Sequence, residues 1–133
     1  MLSYGCTFVG RPEEMRRARN WTRDVLVGSP QVDDAALIVT ELGANALLHT
    51  KSGTGTFHVT IVVNRERIAI SVTDSGGAGA VPRVERPSKG DTHGRGLGMV
   101  TALADRVEID GDHRGHTVTA HLIRTPVRRA PAW

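Results

Sequence analysis

Phe57-His58-Val59-Thr60-Ile61-Val62-Val63-Asn64-Arg65-Glu66-Arg67-Ile68-Ala69-Ile70-Ser71-Val72-Thr73 is the stretch on which the fold turns. Phe57, Val59, Ile61 and Val63 alternate with His58 and Thr60, and Ile68, Ile70 and Val72 alternate with Ala69, Ser71 and Thr73. Successive side chains of a strand point to opposite faces, so each run describes a strand with one apolar and one polar face. The polar turn from Asn64 to Arg67 joins them as an antiparallel hairpin.

Upstream, the apolar period changes from two to that of a helix. Tyr4 to Val9 reads as a short edge strand, and a first helix from about Pro12 to Val27 is expected from the spacing of Met15, Ala18, Thr22, Val25 and Leu26. Gly28 falls just past its end, and Ser29-Pro30 suits the cap and first residue of a second helix. Thr50 to Thr56, with Gly53 and Gly55, is a polar loop.

Downstream, the pattern from Ser75 to Arg95 dissolves into glycines and prolines. A loop of that length in a small domain is usually functional. A short helix from Gly96 to Ala104, a strand from Arg106 to Asp110, a turn from Gly111 to Gly115 and a strand from His116 to Ile123 follow, the last with Val118, Ala120 and Leu122 inward. The order predicts an α+β two-layer sandwich, a mostly antiparallel sheet with helices on one face. Residues 1–125 form one domain, and 126–133 form a C-terminal tail.

The run from Val32 to Leu48 carries no charge after Asp34 except Glu41. A helix of this composition is buried around most of its circumference. Residues four apart share a helix face, so Glu41, Asn45 and His49 make one polar stripe along it. A buried carboxylate persists when paired, hydrogen-bonded or metal-bound. Either Glu41 meets a Lys or Arg of a neighbouring element, or the stripe lines a polar site.

Composition narrows the classes. With 133 residues, 39% hydrophobic and 23% charged, the chain is an ordinary globular domain. Its apolar runs fall short of the roughly 20 residues that span a bilayer. The N-terminus lacks the regions of a signal peptide, and Cys6 has no second cysteine, so a cytoplasmic location away from membranes is expected. The net charge of +3 comes from arginine, with Arg11, Arg16, Arg17, Arg19 and Arg23 clustered on the first helix and its approach. One Tyr, two Phe and two Trp leave little for base stacking, so direct nucleic-acid binding is disfavoured. An acidic protein surface or an anionic small ligand suits the charge better.

Two glycine motifs flank the long loop: Asp74-Ser75-Gly76-Gly77-Ala78-Gly79 after a strand, and Gly94-Arg95-Gly96-Leu97-Gly98-Met99 at the start of a helix. Glycines opening a helix let backbone N–H groups approach phosphate oxygens. A dinucleotide fingerprint fails, since Pro82 takes the third glycine's place and the strands pair as hairpins. No Walker-type Gly-Lys-Ser or Gly-Lys-Thr is present.

A helix with Glu41 and Asn45, then Asp74-x-Gly76, then Gly94-x-Gly96-x-Gly98, then Gly115-x-Thr117 on a late strand resembles the ATP-binding domain shared by gyrase, Hsp90, histidine kinases and mismatch-repair ATPases. Over roughly residues 8 to 123 the chain resembles the small stand-alone bacterial branch of that superfamily, the anti-sigma-factor serine kinases and related actinobacterial regulators. The resemblance implies that Asn45 ligates Mg²⁺ and that Glu41 is the general base. It implies that Asp74 accepts from the adenine amino group, with room left by Gly76. Gly94, Gly96 and Gly98, with the intervening Leu97, would carry the phosphate contacts, residues 77–93 would be a lid, and Thr117 would support the adenine-binding carboxylate. Arg95 reads equally as a phosphate contact and as a solvated side chain, and His49 as chiefly structural.

One departure is Ala78, which stands where the family's second glycine is expected. The function implied is an ATP- and Mg²⁺-dependent regulator that binds a sigma factor or an anti-sigma-factor antagonist and phosphorylates a serine or threonine of the antagonist. The alternative is a partner-binding module or slow ATPase without kinase activity. Outward-facing arginines of the first helix would then serve a partner surface or a homodimer contact.

Overall fold

The computed structural model describes residues 1–49, 55–74, 92–112 and 115–124, without the side chains of residues 48, 49, 92–97 and 112. Five strands, β1 (Leu2–Val9), β2 (Thr56–Val63), β3 (Arg67–Asp74), β4 (Arg106–Asp112) and β5 (Gly115–Ile123), form one sheet in the order β1-β2-β3-β5-β4. Every neighbouring pair is antiparallel. Three helices, α1 (Glu14–Val25), α2 (Val32–His49) and α3 (Thr92–Leu103), complete the α+β two-layer sandwich.

The β2–β3 hairpin follows from its alternation. Phe57, Val59, Ile61, Ile68, Ile70 and Val72 are all buried, and Asn64 closes the turn by accepting from the N–H groups of Glu66 and Arg67, each at 2.8 Å. An Asn side chain that folds onto its own downstream backbone stabilises such a turn. β5 contributes Val118, Ala120 and Leu122 to the same core. The opposite face is polar, with Ser71 bonded to Thr119 and Thr7 to His58, at 2.8 and 2.7 Å. A one-sided antiparallel sheet has this division.

Helix α2 lies over the sheet between its two neighbours. Ala35, Ile38, Val39, Leu42 and Ala46 are buried. Gly43 permits close approach of α1, since a Cβ there would lie 2.4 Å from the Met15 Cε. From α1 and its C-cap, Ala18, Thr22 and Leu26 are buried, and Phe8 stacks on Phe57 with centroids 5.4 Å apart.

Several boundaries differ from the sequence reading. β1 starts at Leu2, because its ladder with β2 continues to Leu2 opposite Val63. Pro12 lies in a turn rather than in α1, with Glu14 N–H bonded to the Arg11 carbonyl and Met15 N–H to the Pro12 carbonyl. α2 starts at Val32, two residues after Pro30. Ser29 instead folds a turn, its Oγ accepting from Gln31 N–H and its carbonyl from Val32 N–H, both at 3.2 Å. The β4–β5 ladder runs on to Asp112 opposite Gly115, with Gly111 at φ 135°, a value only glycine adopts easily. α3 starts at Thr92, so Gly94 and Gly96 lie inside the helix. Glycine is a poor helix former but not an incompatible one.

Ile61 is fully buried in the middle of β2. Ile61→Ala should lower unfolding free energy by about 2–5 kcal/mol. Urea denaturation should show a lower midpoint with unchanged slope.

Candidate nucleotide-binding site

Strand pairing places Asp74, Gly115 and Thr117 at one pole of the sheet. β2 begins where α2 and its following loop end, and Phe57 pairs with Asp74, so the end of β3 lies beside the C-terminal end of α2. Gly115 opens β5 at the same pole, where Asp110 and Gly111 of β4 pair with Thr117 and His116. α3 leads into the start of β4, which pairs with His121 at the far end of β5, so the C-terminal end of α3 lies at the pole opposite Asp74. A helix of 12 residues covers about 18 Å, enough to cross the layer.

On α2, Asn45 is buried at 8% exposure and Glu41 is half-buried one turn earlier. Among the described residues no Lys or Arg lies within ion-pair distance of Glu41. The ion-pair explanation for this carboxylate therefore has no support among them. His49 continues α2, but its side chain lies outside the described residues.

Asp74 is 5% exposed and shares the helix-covered face with Ile68, Ile70 and Val72, by strand alternation. Its Oδ1 accepts from the backbone N–H of His116 at 3.2 Å, and its Oδ2 lies 3.6 Å from His116 Nδ1. That second separation is ion-pair range, longer than a hydrogen bond. Thr117 faces the other way. Its Oγ1 is bonded to the Thr73 Oγ1 at 2.8 Å on the open face of the sheet. The structure thus brings His116, not Thr117, to the Asp74 carboxylate, because residue parity along β5 assigns the two to opposite faces.

The glycines of α3 differ among themselves. Only Gly94 lies within the first three helical residues, where N–H groups have no acceptor inside the helix. Gly96 and Gly98 lie further in, and a Cβ at Gly98 would meet nothing within 4 Å among the described residues. Packing therefore does not require glycine at 98, whereas a ligand approaching the backbone would. Gly76, Ala78 and most of the proposed lid lie outside the described residues, as do the side chains of Arg95 and Leu97 and the tail 126–133.

Among the described residues no three His, Cys, Asp or Glu side chains gather to hold a metal. One amide oxygen, from Asn45, suits a Mg²⁺ whose remaining ligands are phosphate oxygens and water. A cavity of about 340 Å³ lies at the other pole, lined by Leu2, Tyr4, Leu26, Pro30 and Arg124 among others. It holds none of these groups.

The fold and this arrangement of residues define a class. The profile of the histidine kinase-like ATPase domain matches residues 8–122, and the chain belongs to that family. A structure of the RsbU and RsbW domains of Rv1364c from Mycobacterium tuberculosis superposes with a TM-score of 0.70 at 20% identity, over 98% of this chain and 35% of that one. The mycobacterial sensor histidine kinase MprB superposes at 0.54 with 15% identity, over 93% of this chain and 100% of that one. These likenesses are of fold, and the chain spans about a third of the length of the first. No curated protein sequence matches it.

Two glycine substitutions should move stability in opposite directions. At Gly115 a Cβ would sit 2.9 Å from the Asp74 carbonyl oxygen, so Gly115→Ala should cost about 1–3 kcal/mol. Gly98→Ala, with open space over a helical position, should stabilise the ligand-free protein by up to about 1 kcal/mol. Thermal unfolding of both variants without nucleotide checks the pair.

Proposed function

We propose that the chain is an ATP- and Mg²⁺-dependent regulator of the anti-sigma-factor type, which phosphorylates a serine or threonine of an antagonist protein. What supports this reading is a set of polar groups, Glu41 and Asn45 on α2 and Asp74 at the end of β3, standing in an otherwise apolar layer. The fold shared with a chain that contains RsbU and RsbW domains supports the choice of branch.

In this reading Asp74 accepts the amino group of adenine. Asn45 contributes one oxygen to Mg²⁺, while Gly94 offers a backbone N–H to phosphate and Gly96 and Gly98 admit it closely. When bound, ATP and Mg²⁺ supply the phosphoryl group and offset its charge. Glu41 takes the proton of the acceptor hydroxyl as its oxygen bonds to the γ-phosphorus and ADP departs. A half-buried carboxylate with no ion-pair partner among the described residues favours transfer over binding alone.

The arginines of α1 provide the partner surface. Arg16 and Arg17 are exposed, and the Arg17–Glu14 contact at 3.0 Å is a solvent-screened pair that contributes little to stability. A depression of about 450 Å³ beside them is lined by Pro12, Glu13, Met15, Arg16 and Arg19. Among the described residues no helix is long and apolar enough to cross a membrane, in keeping with a regulator that meets its partners in the cytoplasm.

Calorimetry with Mg²⁺ should show ATP binding by the wild type, with Asp74→Asn weakening it at least about tenfold. Glu41→Ala should retain binding and lose about 10²–10⁴ in phosphoryl transfer. Binding without transfer to any candidate antagonist would leave an ATP-dependent binding module, and no binding would overturn the nucleotide reading. Replacing both Arg16 and Arg17 by Glu should weaken partner capture with ATP affinity unchanged. Intact capture in a pull-down with purified sigma factor and antagonist would refute that surface.

A further inference from the structure

We infer that His116 orients the Asp74 carboxylate and thereby sets the preference of the site for a purine bearing a 6-amino group. The inference rests on the reading of Asp74 as the base-recognising acceptor and adds a residue which that reading does not contain.

The two side chains share the buried face of the β3–β5 pair, and each is 4% exposed. A carboxylate turns easily about its terminal torsion, whose rotamer wells are broad. His116 addresses both oxygens from one residue, its backbone N–H on Oδ1 at 3.2 Å and its ring Nδ1 facing Oδ2 at 3.6 Å. A ring contact on Oδ2 leaves the remaining lone pairs of the carboxylate in a defined direction, which an acceptor for one amino group requires.

The backbone enforces this meeting. The missing side chain of Gly115 lets the start of β5 press against the Asp74 carbonyl, which would lie 2.9 Å from any Cβ there. The next residue along β5 is then delivered to the carboxylate. Thr117, one further, is turned to the open face by its bond to Thr73. In this inference the ring proton stands on Nδ1, the nitrogen that faces the Oδ2 acceptor. Both ring nitrogens are buried without a hydrogen bond among the described residues, so closing the 3.6 Å gap when a base engages Asp74 would satisfy Nδ1.

The test compares affinity for ATP with that for purine riboside 5′-triphosphate, which has hydrogen in place of the 6-amino group. The full chain is used as wild type, His116→Phe and His116→Asn, with Mg²⁺ present. Wild type should prefer ATP by about tenfold or more, the range of a hydrogen bond to a charged group. His116→Phe keeps the ring volume without nitrogen and should bring the ratio to within about twofold of unity. His116→Asn, whose amide nitrogen reaches the place of Nδ1, should keep most of the preference.

A folded His116→Phe variant with the wild-type ratio would overturn the inference and leave the nucleotide site standing. A wild type that binds both triphosphates equally, or neither, would overturn the reading of Asp74 and the inference with it. Should His116→Phe fail to fold, ¹⁵N spectra of histidine-labelled wild type decide. ATP, but not the analogue, should shift the His116 Nδ1 resonance, and identical responses to the two would refute the role.

Discussion

The packing of α2 against the sheet fixes the geometry of everything else. Ala35, Ile38, Val39, Leu42 and Ala46 must face the core, and Gly43 must face Met15. Together these demands fix one arc of about 140° on the helix, so α2 has one rotational setting. A turn of about 100° would bring Glu41 into the place of Leu42, within the hydrocarbon layer, and Val39 into the half-buried place of Thr40, together costing on the order of a few kcal/mol. The direction in which Glu41 and Asn45 point is therefore dictated by residues that take no part in any chemistry.

How far the sequence was legible depended on what each element needs in order to be recognised. The β2–β3 hairpin and α2 announce themselves through local periodicity, and both stand where the spacing of Phe57 to Thr73 and of Val32 to Leu48 puts them. The motifs that hold Glu41, Asn45 and Asp74 were legible as an ordered set. The partner of Asp74 was not. Thr117 and His116 are adjacent, and a strand sends neighbours to opposite faces, so choosing between them requires the register of β5 on β3, a non-local quantity. The available signal was relative: Val118, Ala120 and Leu122 were already read as inward, and counting back by two from Val118 reaches His116.

The start of α3 was misplaced for a different reason. Local propensity argues against helix through Gly94-Arg95-Gly96-Leu97-Gly98, where each interior glycine costs roughly 1 kcal/mol relative to alanine. The helix nevertheless begins at Thr92. Sequence and structure disagree most at segments kept for something other than stability. The open space above Gly98 is consistent with that account, since no packing neighbour among the described residues demands the missing side chain.

The strand order carries a kinetic consequence. The two hairpins close short loops, but β1 on β2 and β3 on β5 join residues far apart, as in Thr7 with His58, 51 positions away, and Thr73 with Thr117, 44 away. Closing such loops costs chain entropy before any contact rewards it, which slows folding relative to a helical bundle of equal size. Asp74 and His116 sit on one of these late seams. A nascent chain therefore acquires its core hairpin well before the contact of Asp74 with His116, which needs both ends of the domain.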